Sequence, residues 1–72
     1  MTNVNKLKGK LVENGMTVSA LAEKMHLDKA TLYRKLSNNA GTLSVNEANA
    51  IVSILGLTAD EAMAIFFSQF VA

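Results

Sequence analysis

Cysteine, proline and tryptophan are absent from this 72-residue sequence, and aromatic residues make up only 6% of it. Without cysteine the chain forms no disulfide and presents no thiolate to a metal or a substrate, a composition that suits a reducing cytoplasm. Without proline, no helix is broken by a residue that lacks the backbone amide hydrogen. Stability must therefore come from packing, which the 50% of apolar residues can supply. We expect one domain over residues 1–72, located in the cytoplasm.

Basic residues are confined to the first half of the chain, although the net charge is only +1. Residues 1–35 hold all seven lysines and arginines with three acidic residues, a balance of +4, whereas residues 36–72 hold three acidic residues alone. We expect the two halves to have different partners, phosphates for the first and apolar packing or a protein for the second. No apolar run approaches the roughly 18 residues of a membrane span, so we expect no membrane association.

Three helices are predicted in the first half, each bounded by a capping or turn residue. The first ends at Asn14-Gly15, the second begins after Thr17 and ends near His26, and the third begins after Asp28 as its N-cap. Apolar residues recur at helical spacing on the face of these helices that we expect to be buried: Val4, Leu7, Leu11, Val18, Leu21, Ala22, Met25, Leu32 and Leu36.

Two more helices are predicted after an exposed loop at residues 37–42, which is rich in turn-forming residues. Ser44 and Glu47 form a capping box before the fourth helix, and Thr58 and Glu61 repeat it before the fifth. The fourth helix ends at Gly56, and the fifth runs from about residue 59 toward residue 70. Its aromatic residues divide between a buried set and an exposed one, with Phe66 and Phe70 expected in the core and Phe67 at the surface. The sequence thus predicts a compact all-α domain of five helices.

The second and third helices, joined by only His26-Leu27-Asp28, have the spacing of a helix-turn-helix, whose second helix enters the major groove of DNA. The segment Met16 to Leu36, MTVSALAEKMHLDKATLYRKL, resembles the helix-turn-helix of the phage lambda repressor and Cro superfamily. The resemblance extends to the leading helix and to the ending Leu57 to Phe67. In length and ending, the chain looks most similar to small Cro-like regulators of temperate phages and to modulator-of-repression antirepressors.

This resemblance implies a lambda-repressor-like domain with a helix-turn-helix at about residues 17–36. It implies that the protein regulates transcription in the cytoplasm of a host cell by binding operator DNA, as a homodimer or with a partner. By the family arrangement, two residues lie near the phosphates and five face outward from the recognition helix: Thr17 and Ser19, then Lys29, Ala30, Tyr33, Arg34 and Ser37.

Two positions depart from the family pattern. His26 stands where many members have glycine, but histidine tolerates the left-handed backbone conformation better than most residues. Val18 stands where many members have a glutamine that contacts phosphate, which valine cannot do. Together with the near-neutral charge, Val18 leaves a second function open, that of an antirepressor whose helix-turn-helix face covers the DNA-binding surface of a phage repressor. A structural or toxin-neutralising protein is a third alternative.

No catalytic chemistry is indicated by the sequence. His26 is the only histidine and has no cysteine to share a metal with, so we expect a turn residue and no metal site. The presence of serine, histidine and aspartate does not make a catalytic triad without the matching geometry. We therefore expect no enzyme activity, no cofactor and no small-molecule substrate.

Overall fold

Five α-helices lie in the part of the chain that the computed structural model describes, residues 3–37 and 43–67. In chain order they are α1 Val4–Glu13, α2 Val18–Lys24, α3 Lys29–Ser37, α4 Val45–Leu55 and α5 Ala59–Phe66. The predicted all-α, five-helix architecture is confirmed. Residues 38–42, which make up most of the predicted loop, lie outside the described residues.

The predicted caps are present at three helix starts. The Thr17 hydroxyl accepts a hydrogen bond from the Ala20 amide at 3.1 Å and begins α2. Both capping boxes are complete, with Glu47 and Glu61 each accepting from the backbone amide of the N-cap residue three positions earlier. These bonds satisfy amides that have no partner inside their own helix, so local sequence decides where α2, α4 and α5 begin.

The start of α3 differs from the expectation in one detail. The Asp28 carbonyl oxygen accepts the Leu32 amide at 3.1 Å, which is the backbone role of an N-cap residue. Its carboxylate, however, makes no hydrogen bond with the described residues. Within the described ranges, the first amides of α3 therefore have no side-chain cap.

A residue with left-handed backbone conformation follows each of the first two helices. Gly15 has φ +62° directly after the C-cap of α1, and His26 has φ +58° in the turn after α2. Both conformations agree with the turns expected from the sequence. A positive φ at His26 stops α2 and redirects the chain within three residues, which sets the angle at which α3 leaves.

The end of α5 was predicted too far along the chain. The helix ends at Phe66, and Phe67 acts as the C-cap with φ −130°, its amide donating to the Met63 carbonyl oxygen at 2.9 Å. Neither glycine nor proline follows, so the sequence holds no local stop signal there. Phe66 is buried and Phe67 is 45% exposed, as predicted. Phe70 lies outside the described residues.

All five helices contribute to one apolar core, and the main helix pairings are α2 with α3, α1 with α5, and α2 with α4. A backbone hydrogen bond from the Asn3 amide to the Ile65 carbonyl oxygen joins the start of α1 to α5. Ala22, 1% exposed, is small enough for α2 to pack closely against its neighbours. The largest fully buried side chains are Leu7, Leu21, Leu32, Ile51 and Ile65.

Gly9→Ala and Gly15→Ala make the same chemical change and should have opposite effects on stability. Gly9 lies inside α1 with no atom within 4 Å of an added methyl group. Alanine there should raise the free energy of unfolding by about 0.5 to 1 kcal/mol. Gly15 is equally open but has a positive φ, so alanine there should lower the free energy of unfolding by about 1 kcal/mol. Urea unfolding measures both, and shifts of the same sign would contradict the left-handed turn at Gly15.

Candidate nucleic-acid interface

The helices α2 and α3 are joined by a short turn that is held by backbone hydrogen bonds. The His26 amide donates to the Glu23 carbonyl oxygen at 3.1 Å, and the Leu27 amide donates to the Ala22 carbonyl oxygen at 2.9 Å. Leu27 also packs against the core. The turn is therefore fixed from both sides, and α3 leaves it in a defined direction.

The buried side of α3 consists of Leu32 and Leu36, which are 0% and 5% exposed. With about 3.6 residues per turn, burial of these two turns the opposite side of the helix to solvent. All five residues predicted to face outward are exposed: Lys29, Ala30, Tyr33, Arg34 and Ser37. We call these five residues the outer face of α3.

The two residues predicted to lie near phosphates sit at the start of α2. Thr17 is exposed, but its hydroxyl already accepts the Ala20 amide, so the remaining lone pair and the hydroxyl hydrogen are what it can offer a ligand. Ser19 is half-buried. Val18, between them, is 8% exposed and belongs to the core, so it presents no surface to a phosphate.

Lys29 and Tyr33 contact each other along the outer face. The Lys29 Nζ lies 5.9 Å from the centroid of the Tyr33 ring, within the range of a cation–π interaction. The spacing of four residues places the two side chains one turn apart, a signal that was readable in the sequence. Tyr33 remains 45% exposed. An aromatic ring and a cation therefore stand together where a macromolecule would meet the helix.

Two ion pairs join the basic first half of the chain to the acidic second half, and neither was predicted. Lys35 of α3 donates to Glu47 of α4, with Nζ 2.8 Å from Oε2 and 3.1 Å from Oε1. Lys10 of α1 pairs with Glu61 of α5. The expectation that the two halves have separate partners is thus wrong for these residues, because part of the charge asymmetry is neutralised inside the fold. No local pattern signals either pair, because its members are far apart in sequence.

Hydrogen bonding favours the ionised form of both glutamates and lowers the pKa of each. The Lys35 ammonium, and then the Ser44 backbone, hold the pKa of Glu47 below its ordinary value of 4.5. Lys10, and then the Thr58 backbone, lower the pKa of Glu61 in the same way. In return, Glu61 and then Glu13 raise the pKa of Lys10. Each glutamate therefore serves its capping box and a lysine at the same time.

The charge left on the helix-turn-helix is small. Lys24, Lys29 and Arg34 make no ion pair with the described residues, and neither do Glu23 and Asp28. Three positive and two negative side chains therefore remain at this surface. Such a surface attracts phosphates only weakly over distance, and specific contacts must supply most of the affinity.

Other kinds of site are not evident in the described ranges. No group of three or more histidine, cysteine, aspartate or glutamate residues there is arranged to hold a metal ion. No helix within residues 3–37 and 43–67 has the length and apolar character to cross a membrane. An open cleft of about 420 Å³ lies between α1 and α5, lined by Lys10 and Glu61 among others, and is separate from the outer face of α3.

Residues 6–67 match the model of a protein family described as the Cro/C1-type HTH DNA-binding domain. The match begins in α1 and ends directly after α5, so it covers the helix-turn-helix and the helices that support it. Neither a curated protein nor a solved structure matches the chain significantly.

Glu47→Gln should remove a contribution to stability that depends on pH. Because the folded pKa lies below the unfolded one, this contribution is fully present above the ordinary pKa of a glutamate and is lost as the pH falls through the lowered folded pKa. We expect the variant to be less stable than the parent by a few tenths to about 1 kcal/mol at neutral pH. Urea unfolding at several pH values tests this, and a difference that persists unchanged in acid would contradict an electrostatic origin.

Proposed function

Because the chain belongs to the Cro/C1-type helix-turn-helix DNA-binding domain family of the lambda-repressor-like superfamily, we propose that it is a phage transcription regulator. Family membership makes it a DNA-binding domain of transcription regulation and not an enzyme, as the sequence predicted. In the proposed role, residues 1–72 act as one domain in the cytoplasm of the host cell. They bind an operator through α3 and take part in the choice between lysis and lysogeny.

The observation that carries this proposal is the exposed outer face of α3 on a helix whose other side is fixed in the core. Arg34 is the residue we assign to base reading, because a guanidinium matches the O6 and N7 acceptors of guanine in the major groove. Lys29 and Ser37 are suited to phosphates or base edges, and Thr17 and Ser19 to the backbone beside the groove. Ala30 and the Tyr33 ring provide apolar contact of the kind that thymine methyl groups accept.

Self-association is part of the proposal. Met63 and Phe67 are 44% and 45% exposed, and they lie one turn apart at the end of α5. Neighbouring exposed apolar side chains on a small protein favour contact with another protein surface. In a symmetric dimer, two copies of α3 would meet two half-sites of an operator.

A second function is favoured by Val18 and by the charge of the helix-turn-helix. The burial of Val18 removes the phosphate contact that many family members make, and the near-neutral surface attracts DNA weakly. An exposed tyrosine beside an arginine is also typical of protein interfaces. These observations support an antirepressor, in which the outer face of α3 binds the DNA-binding domain of a phage repressor and relieves repression.

Arg34→Ala tests the operator-binding function. If Arg34 reads a guanine, the variant should lose about 1 to 3 kcal/mol of affinity for the duplex that the parent chain selects from a random-sequence pool. Lys8→Ala is the matched control, since it removes an exposed positive charge from α1. Fluorescence anisotropy measures the affinity, and the mass of the complex shows whether two chains bind one duplex. Equal losses for the two variants would contradict base reading by Arg34.

A competition experiment separates the two functions. A labelled operator bound by the repressor of the same phage is titrated with the chain at two salt concentrations. An antirepressor should release the repressor while binding the operator poorly itself, whereas an operator-binding regulator should form its own salt-sensitive complex. If the chain binds the operator tightly and no repressor–chain complex forms, the antirepressor function is contradicted.

A further inference from the structure

The carboxylate of Glu47 connects the start of α4 to the last turn of α3. Its Oε1 accepts the Ser44 amide at 2.8 Å and Lys35 Nζ at 3.1 Å, while Oε2 accepts Lys35 Nζ at 2.8 Å. The Glu47 amide in turn donates to the Ser44 hydroxyl at 3.1 Å. Because the capping box fixes the carboxylate, the lysine that binds both of its oxygens is held in place as well.

Lys35 occupies a flank of α3 that is neither core nor outer face. Its side chain is 25% exposed, and that of Glu47 is 20% exposed, so the pair is partly shielded from water. The main packing partner of α3 is α2, and α4 is not among its main partners. The turn at His26 holds the N-terminal end of α3, whereas Lys35 and Glu47 meet near its C-terminal end.

We infer that Glu47 is a positioning residue for the outer face of α3, acting through Lys35. The inference rests on the proposed function, in which this face binds DNA. A binding surface works only while its side chains keep their geometry within about 0.5 Å and 10 to 20°. The pair restrains the rotation of α3 about its own axis, and thereby the direction in which Arg34 points.

Whether Glu47→Gln weakens or strengthens DNA binding distinguishes a positioning role from simple electrostatic attraction. Glu47→Gln removes a negative charge from beside Lys35, so electrostatic attraction alone predicts tighter DNA binding. A positioning role predicts weaker DNA binding, because α3 loses the ion pair that joins it to α4. Glutamine preserves the capping box, since its amide oxygen accepts the Ser44 amide as the carboxylate does. The start of α4 therefore remains intact in the variant.

Glu61→Gln is a matched control. Glu61 has the same two roles, closing the capping box of α5 and pairing with a lysine of another helix, but that lysine is Lys10 of α1. Helices α1 and α5 pack directly on each other, and neither is among the main packing partners of α3. The same substitution thus removes one charge and preserves the capping box in both variants, but only Glu47→Gln removes an ion pair with α3.

Binding to the duplex that the parent chain selects from a random-sequence pool tests the inference. We expect Glu47→Gln to bind it about 3- to 10-fold more weakly, with affinity for a scrambled duplex not reduced, and Glu61→Gln to stay within about twofold of the parent. Lys35→Met should weaken binding similarly, and the double variant Lys35→Met with Glu47→Gln should lose no more than either single variant. If Glu47→Gln binds the selected duplex as tightly as the parent or more tightly, the inference is overturned.

Amide hydrogen exchange supplies a readout that needs no DNA. We expect Glu47→Gln to accelerate exchange in the last turn of α3 relative to α2, and Glu61→Gln to leave this ratio unchanged. If the parent chain selects no sequence, the proposed operator function fails, while the exchange ratio still decides whether Glu47 restrains α3. An unchanged ratio in Glu47→Gln would overturn the inference independently of any binding result.

Discussion

The burial of Leu32 and Leu36 determines the direction of every other side chain on α3. These residues, 0% and 5% exposed, fix one side of a nine-residue helix in the core, and the outer face follows from helical geometry. The packing depends on α2, where Ala22 is small enough to be enclosed between helices. A polar residue in place of either leucine would leave an unsatisfied group in the core and release the helix. The outer face of α3 is therefore exposed as a consequence of apolar packing rather than of its own residues.

Electrostatic contacts refine this arrangement. The capping-box glutamates Glu47 and Glu61 each bind a lysine from the first half of the chain, which ties α3 to α4 and α1 to α5. The same contacts neutralise basic residues that the sequence alone would assign to phosphates. What remains on the helix-turn-helix is close to neutral, so its long-range attraction for phosphates is weak. This weak attraction is why we propose a repressor protein, beside DNA, as a partner of the outer face of α3.

Sequence predicted the features that depend on neighbours in the chain. The helix starts at Thr17, Ser44 and Thr58 and the left-handed turn at Gly15 follow from capping and turn residues, whereas the turn at His26 and the outward positions of α3 were expected from the family resemblance. The pairs Lys35–Glu47 and Lys10–Glu61 were missed because tertiary packing alone brings their members together. The end of α5 was missed because no glycine or proline marks it, and the carboxylate of Asp28 does not cap α3 although its backbone does.

The central claim is that the outer face of α3 is the surface that meets a macromolecule. An NMR titration of the labelled chain with its selected duplex, or with a repressor DNA-binding domain, tests it most directly. The account predicts that the largest shifts fall on Lys29, Tyr33 and Arg34, with smaller ones at Thr17 and Ser19. Shifts confined to Met63, Phe67 and the rest of α5, with α3 unchanged, would contradict it.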